Sequence, residues 1–261
     1  MPTDMNTAKH YNANAEQYHQ HVTNPSDSIF HSKYEKPAIR AELPNLEDLD
    51  VLSIGCGSGV DSRWLADNGA RKVIGIDISS GLLDIAKREN PDISFLEMDM
   101  EKLDFPDESF DLAYSSLAIH YVDDWTPALK EARRVLRPHG TYVFSCGHPI
   151  DTAVEYTKDD QAKYAYLGRK IELETGKRTI FGDYLVVKDG GVKPIEGTLG
   201  DMEVVVYHRT FGKMIEQIRS AGFTIEKVVE PQPAPDMQQA NPDMFEQLSR
   251  IPAFMIWVLK K

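Results

Sequence analysis

Three glycines at alternate positions, Gly55, Gly57 and Gly59, follow the apolar run Val51 to Ile54 in "VLSIGCGSG". An acid, Asp77, closes the next apolar run in "VIGIDIS", twenty residues after Gly57 (77 − 57). Glycines at such a turn let the backbone bend sharply and approach a ligand without Cβ interference. A carboxylate at the end of the second strand accepts hydrogen bonds from both hydroxyls of a ribose. The chemistry is nucleoside recognition, and two cofactor classes share it. A dinucleotide fingerprint spaces its glycines G-x-G-x-x-G, so that a helix N-terminus faces a pyrophosphate. Here the spacing is G-x-G-x-G with Val60 at the last dinucleotide position, which favours a ligand without pyrophosphate and weighs against a nicotinamide-dependent oxidoreductase. Three histidines are candidates for a general base near neutral pH: His120 in "SSLAIHYV", His148 in "CGHP" and His208 in "VYHRT". The other reading of each is a ring hydrogen-bonded in a loop or at a helix end. His120 is the first choice.

The elements that must position these residues are legible as alternation. From about residue 50 to 147, short β-branched runs alternate with amphipathic stretches, which is the pattern of an α/β parallel sheet flanked by helices. The expected strands are Val51–Ile54, Lys72–Ile76, Ile93–Met98, Phe110–Ser115 and Thr141–Cys146. Between the first two, a helix from about Val60 to Asn68 stops at a glycine cap, Gly69. The next starts after Ser79, an N-cap, and ends at Pro91. Upstream, "AKHYNANAEQYHQHV" places Tyr11, Ala15, Tyr18 and Val22 on one helix face, followed by a second helix over about Ser28–Ala41. Downstream, about sixty residues from Gly147 to His208 separate the fifth strand from the next clear helix, far more than an ordinary α/β connection. "TIFGDYLVVKDGG" and "MEVVVYHRT" read as strands of a small antiparallel excursion, with Asp189-Gly190 as its tight-turn signal. The aromatic residues Tyr156, Tyr164, Tyr166, Phe181 and Tyr184 there serve either a substrate cap or the insertion's own small core. A helix ending at Gly222, a strand Phe223–Val229 and an apolar last strand in "PAFMIWVLKK" complete the chain.

Composition narrows the partners. A net charge of −12 argues against a polyanion, and the thin basic cluster Lys130, Arg133, Arg134 and Arg137 in "KEARRVLRPHG" reads as a solvated helix face rather than a nucleic-acid patch. No apolar run approaches the roughly 18 to 20 residues that span a bilayer. With no N-terminal export signal either, the expectation is a cytoplasmic protein without a membrane partner. Cys56 and Cys146 form no metal-ligand spacing, so no metal site is expected, and both read as small buried residues.

"VLSIGCGSG", "VIGIDIS", "FLEMDMEKLDFPDESFDLAYSSLAIHYV" and "LRPHGTYVFS", in this order and spacing, resemble the class I S-adenosylmethionine-dependent methyltransferases, and within them the small-molecule branch that includes the ubiquinone and menaquinone biosynthesis enzymes. The resemblance covers about residues 45–147 strongly and the last strands loosely. It implies a Rossmann-like seven-stranded, mostly parallel sheet of order 3-2-1-4-5-7-6, the last strand antiparallel, with helices on both faces and an inserted cap after the fifth strand. It divides the chain into N-terminal helices lidding the cofactor (1–45), a cofactor-binding half (46–147), a substrate cap (148–208) and the C-terminal part of the sheet (209–261). It implies S-adenosyl-L-methionine as cofactor and S-adenosyl-L-homocysteine as product. Gly55, Cys56 and Gly57 would line the methionine part, Asp77 would hold the ribose and Ile78 lie beside the adenine. Asp99 would accept the adenine amino group, the Met100 amide would face a ring nitrogen, and Ser115 and Ser116 would sit near the amino-acid end and the reactive methyl, with His120 close by. Tyr11 and Tyr18 either lid the cofactor or pack on the core. The Asn/Asp-Pro-Pro-aromatic motif of amino-methyltransferases acting on bases or glutamine is replaced by "YSSL", which favours a small-molecule acceptor over nucleic acid. The expected activity is methyl transfer to an O, N or C atom of that acceptor; the alternative from another class is a non-catalytic S-adenosylmethionine-binding sensor or partner subunit.

Overall fold

The computed structural model describes residues 5–24, 28–156, 164–165, 167–186, 190–199 and 202–261. Its centre is β1 (Asp50–Ile54), where Val51, Leu52 and Ile54 are all buried because helices cover both faces of the sheet. β1 runs parallel to β2 (Lys72–Asp77) on one side and β4 (Phe110–Ser115) on the other. Beyond β2 lies β3 (Ser94–Glu97); beyond β4 lies β5 (Leu136–Gly147). The final strand, β7 (Phe254–Lys260), enters antiparallel between β5 and β6 (Thr224–Val229), with Trp257 opposite Phe144. The order is therefore 3-2-1-4-5-7-6, as the resemblance implies. Its switch point falls between β1 and β4, and in an open parallel sheet the crevice beyond that point is where a ligand sits.

Helices α1 (Met5–Ala13) and α2 (Ala15–Thr23) precede the sheet. The single helix expected there is broken at Asn14, whose φ of −117° and ψ of 19° interrupt the turn. The second expected helix is also irregular, since residues His31–Glu35 form a π-turn that runs directly into α3 (Lys36–Ala41). A π-turn inserts one extra residue and rotates everything after it, and such turns gather at functional sites. α4 (Val60–Asp67) ends against Gly69, whose φ is +104°. α5 (Ser80–Glu89) begins at Ser79, whose hydroxyl accepts from the Leu82 amide.

α6 (Trp125–Val135) packs on the β4–β5 side of the sheet in a core that includes Trp125, Leu129, Phe144 and Trp257. The opposite face is a second core of Ile39, Leu65, Val73, Leu83 and Val143. Of the basic cluster, Lys130 is exposed as a solvated face requires, while the half-buried Arg134 and Arg137 are also ion-paired. Arg134 pairs with Glu131 and Asp107 and caps the Leu103 and Phe105 carbonyls, while Arg137 bridges Asp50 and Asp111. No helix among the described residues is long and apolar enough to cross a membrane.

After β5 come a one-turn helix α7 (Pro149–Thr152) and three two-stranded antiparallel ladders, then α8 (Phe211–Ser220). The longest of the described ladders pairs Val192–Leu199 with Met202–Arg209, so Val192 lies opposite Arg209 and Leu199 opposite Met202. Of the expected turn at Asp189-Gly190, Asp189 lies outside the described residues, while Gly190 (φ +66°) and Gly191 (φ +86°) are left-handed and lead into this ladder at Val192. Tyr166 also lies outside them, and of Tyr156 and Tyr164 only the backbone is described. Arg209, wholly buried, ties this insertion to the fold. Its guanidinium stacks on Trp125 at 4.7 Å and donates to the Val122 carbonyl and Gln217 Oε1, although burial lowers its pKa to about 9.

Candidate active site

The loop leaving β1 turns left-handed at both Gly55 (φ +65°) and Gly57 (φ +53°). A Cβ at Gly55 would overlap that of Ala118, whereas one at Gly57 would meet the Tyr18 ring at an ordinary 3.5 Å, so glycine is needed at Gly55 for space and at Gly57 for its left-handed backbone alone. Asp77 staples the loop to the end of β2: one carboxylate oxygen accepts from the Gly57 amide at 2.8 Å, the other from Ser79 at 2.9 Å. Burial pushes its carboxyl upward, and the amides of Ser79, Gly57 and Ile78 pull it back.

Two cavities open on either side of this turn. The smaller, about 70 Å³, is an apolar slot of Ile78, Leu82, Met98 and Met100 ended by Asp77. The larger, about 160 Å³, is lined by Cys56, Ser58, Lys36, Asp61, His31 and His120 among others. Gly55, Gly57, Ser116 and Leu117 form walls of both, as do Tyr11, Tyr18 and Tyr121. The three tyrosines form one cluster. Tyr11 and Tyr121 share a 2.7 Å hydrogen bond between their hydroxyls, and the Tyr11 ring meets Tyr18 edge-on at 5.2 Å. The break at Asn14 thus leaves both tyrosines expected on one helix face in contact. Asn12 fastens α1 to α5, its Oδ1 accepting from the Ser79 hydroxyl at 2.7 Å and the Gly81 amide at 3.0 Å. His19 on α2 meets Ser58 of the glycine loop at 2.9 Å.

Other expected site residues fall differently. Met100 lines the smaller cavity, but Asp99 organises the turn beneath it, accepting from the Glu101 amide at 2.9 Å. Ser116 faces both cavities, whereas Ser115 is wholly buried behind them. Of the three histidines, His120 alone lines either of these two cavities. Its Nδ1 is buried without a hydrogen-bond partner, and burial, with Arg209 and His31 nearby, lowers its pKa to about 3. His148 is the N-cap of α7, its Nδ1 accepting from Ile150 and its Nε2 meeting Glu230 at 3.0 Å. His208 is held between the Thr152 hydroxyl at 2.7 Å and the Tyr184 carbonyl at 3.0 Å. Neither ring lines the two cavities: the tertiary fold pairs His148 with Glu230 and His208 with Thr152 and Tyr184. Sequence reading missed Lys36, Asp61 and Tyr121. Tyr121 stands beside His120 in a quoted motif, but nothing local to Lys36 or Asp61 marks them.

A methyltransferase-domain family model matches residues 52–144, the part of the chain that carries the glycine turn, Asp77 and the β4 edge. An S-adenosylmethionine-dependent methyltransferase of Mesorhizobium loti, solved by crystallography, is 34% identical, superimposes with a TM-score of 0.69, and is covered over its whole length (100%) by 90% of this chain. The chain belongs to the S-adenosylmethionine-dependent methyltransferases. Two further relatives match this methyltransferase over part of its length. The malonyl-[acyl-carrier protein] O-methyltransferase of Enterobacter lignolyticus is 35% identical over 108 residues, which are 41% of this chain and 43% of that one. The demethylmenaquinone methyltransferase of Paenarthrobacter aurescens is 38% identical over 101 residues, 38% of this chain and 40% of its own. The match to these curated enzymes thus spans about two fifths of their length.

The tyrosine cluster gives a first test. Tyr11→Phe keeps the ring contacts and removes the hydroxyl pair with Tyr121, so S-adenosylhomocysteine affinity, measured by titration calorimetry, is expected to fall about threefold to tenfold, the worth of one hydrogen bond.

Proposed function

We propose that this methyltransferase acts on a small molecule bound at the His120 end of the larger cavity, and that the reacting atom is already anionic or carries a free lone pair at neutral pH. The observation that carries this reading is His120. Its ring lies on the wall with an unpartnered Nδ1, yet its environment keeps it neutral far below pH 7. Such a ring orients an acceptor by a hydrogen bond and is a poor sink for a hydroxyl proton. A carboxylate, as a malonyl group offers, or an ionised enol or phenol needs no such sink.

The remaining residues fit the cofactor by their chemistry. Asp77 offers lone pairs to the ribose hydroxyls, the slot of Ile78, Leu82, Met98 and Met100 matches an adenine ring, and Lys36, which faces Asp61 at 3.5 Å, is a cation on the larger cavity's wall suited to an amino-acid carboxylate. S-adenosylmethionine supplies a methyl already activated on a sulfonium. What the protein adds is alignment, together with exclusion of water by Tyr11, Tyr18 and Tyr121. A reducing compartment such as the cytoplasm suits the free thiols of Cys56 and Cys146.

With an acceptor found by screening carboxylate and phenol metabolites against labelled methyl, His120→Ala is expected to lower kcat/KM for that acceptor about 10- to 30-fold, the loss of one or two hydrogen bonds in the aligned complex. S-adenosylhomocysteine affinity should stay within about threefold. At saturating cofactor the wild-type kcat should be flat from about pH 6 to 9; a limb near neutrality that disappears in His120→Gln would make His120 a base and overturn the reading.

A further inference from the structure

The last residue of the π-turn, Glu35, is wholly buried, and no cation hydrogen-bonds its carboxylate. The nearby Lys36 ammonium and Arg40 guanidinium are directed at Asp61 instead, at 3.5 and 2.9 Å. Glu35 Oε2 has no partner, and Oε1 accepts from two serine hydroxyls, Ser116 at 3.0 Å and Ser145 at 2.5 Å. A buried carboxylate so thinly compensated costs stability, and its two bonds show what it holds. Ser145 passes the interaction on, its oxygen accepting from the Leu117 amide at 3.0 Å. Leu117 has a φ of +50°, a left-handed conformation that a leucine keeps only where its surroundings impose it. Ser116 and Leu117 are walls of both cavities, and the next residue, Ala118, is the one that abuts Gly55.

We propose that Glu35 is a positioning residue of the cofactor site: acting through Ser116 and Ser145, its carboxylate holds the Ser116–Ala118 turn in the left-handed form that keeps the two cavities joined. Hydroxyls bond a carboxylate about twice as strongly as a neutral acceptor, so the turn is held tightest when Glu35 is ionised. Burial raises this carboxyl to about 7, Asp61 on α4 adding to the shift while Ser145, Ser116 and Lys36 oppose it. Tyr114 on β4 and Tyr18 on α2 also feel its charge, and burial raises both hydroxyls. His31, one turn earlier, is lowered to about 4 by burial and Lys36. Because the folded pKa lies above the ordinary carboxyl value of 4.5, the stability this group contributes is lost as pH rises toward and through about 7. Cofactor binding should move the opposite way, since it uses the ionised form.

The test is titration calorimetry of wild type, Glu35→Gln and Ser145→Ala with S-adenosylmethionine and S-adenosylhomocysteine at about pH 6 and about pH 8.5, alongside thermal unfolding and hydrogen exchange at the Leu117 amide. Wild type should bind about tenfold more tightly at the higher pH, the worth of one charge-assisted bond. Glu35→Gln should bind at the weaker level at both pH values and release the Leu117 amide at least about tenfold faster, yet show a Tm at the higher pH no lower than wild type, because the buried charge is gone. Ser145→Ala should share the binding loss. Two results overturn the proposal: wild-type affinity and pH slope in Glu35→Gln, or a Tm that falls in step with its affinity, which would make Glu35 a simple structural prop. No methyl acceptor is present, so neither result bears on the acceptor reading.

Discussion

Asp77→Ala is expected to weaken S-adenosylmethionine and S-adenosylhomocysteine binding by about a hundredfold or more, which is at least ~3 kcal/mol for two hydrogen bonds to a charged acceptor. The carboxylate has two duties. It accepts the Gly57 and Ser79 amides in the free protein, and each oxygen keeps a lone pair for a ribose hydroxyl. Alanine removes the acceptor proposed for the ribose and also unfastens the glycine loop from β2, so the loss should exceed what ribose contacts alone would supply. Asp77→Asn separates the two duties. An amide side chain preserves the shape but must turn its NH2 toward either the Gly57 or the Ser79 N–H, setting donor against donor. Calorimetry should therefore find Asp77→Asn nearly as weak as Asp77→Ala. Affinity within threefold of wild type in the asparagine variant would show that the staple is dispensable and would move the ribose away from Asp77.

Asp77 also shows why part of this site is legible in the sequence. Strand, glycine turn, helix, strand and acid are consecutive, and the geometry that joins Gly57 to Asp77 is fixed by one β-α-β unit. The strand order follows from the same regularity together with the family resemblance. Glu35 is the opposite case. Its partners Ser116 and Ser145 lie 81 and 110 residues away, and its burial depends on a π-turn that shifts the helix by one residue. Helical periodicity alone does not distinguish that turn from continuous α-helix. His148 and His208 look like site residues in sequence because they flank the insertion, but Glu230 and Thr152 claim them through the tertiary fold. Val192–Leu199, the ladder partner of "MEVVVYHRT", escapes a local reading for a related reason: "VKPIEGTL" carries a proline and a glycine that local preference assigns to loop, and strand pairing is settled by what the strands bury.

Gly55→Ala is the substitution expected to damage both the fold and the site. The left-handed backbone at φ +65° costs an alanine roughly 1–2 kcal/mol, and forcing its Cβ into Ala118 adds the ~1–3 kcal/mol typical of overpacking. The neighbour has little freedom to yield, because Ala118 follows the Leu117 amide held by Ser145. Denaturant unfolding should therefore show a loss of about 3 kcal/mol, and S-adenosylhomocysteine affinity should drop about a hundredfold as the shared wall closes. The two costs can be parted by a double variant. Gly55→Ala with Ala118→Gly removes the overlap and leaves the φ strain, so stability and affinity should both recover by about half on the logarithmic scale. Gly57→Ala pays the same kind of φ penalty but meets only the Tyr18 ring at 3.5 Å, and it should unfold closer to wild type than Gly55→Ala does. If Ala118→Gly rescues nothing, the contact between the β1 and β4 turns does not set the width of the cavity. The two left-handed residues of these turns, Gly55 by its freedom and Leu117 by the bonds around it, would then be independent features rather than one gauge.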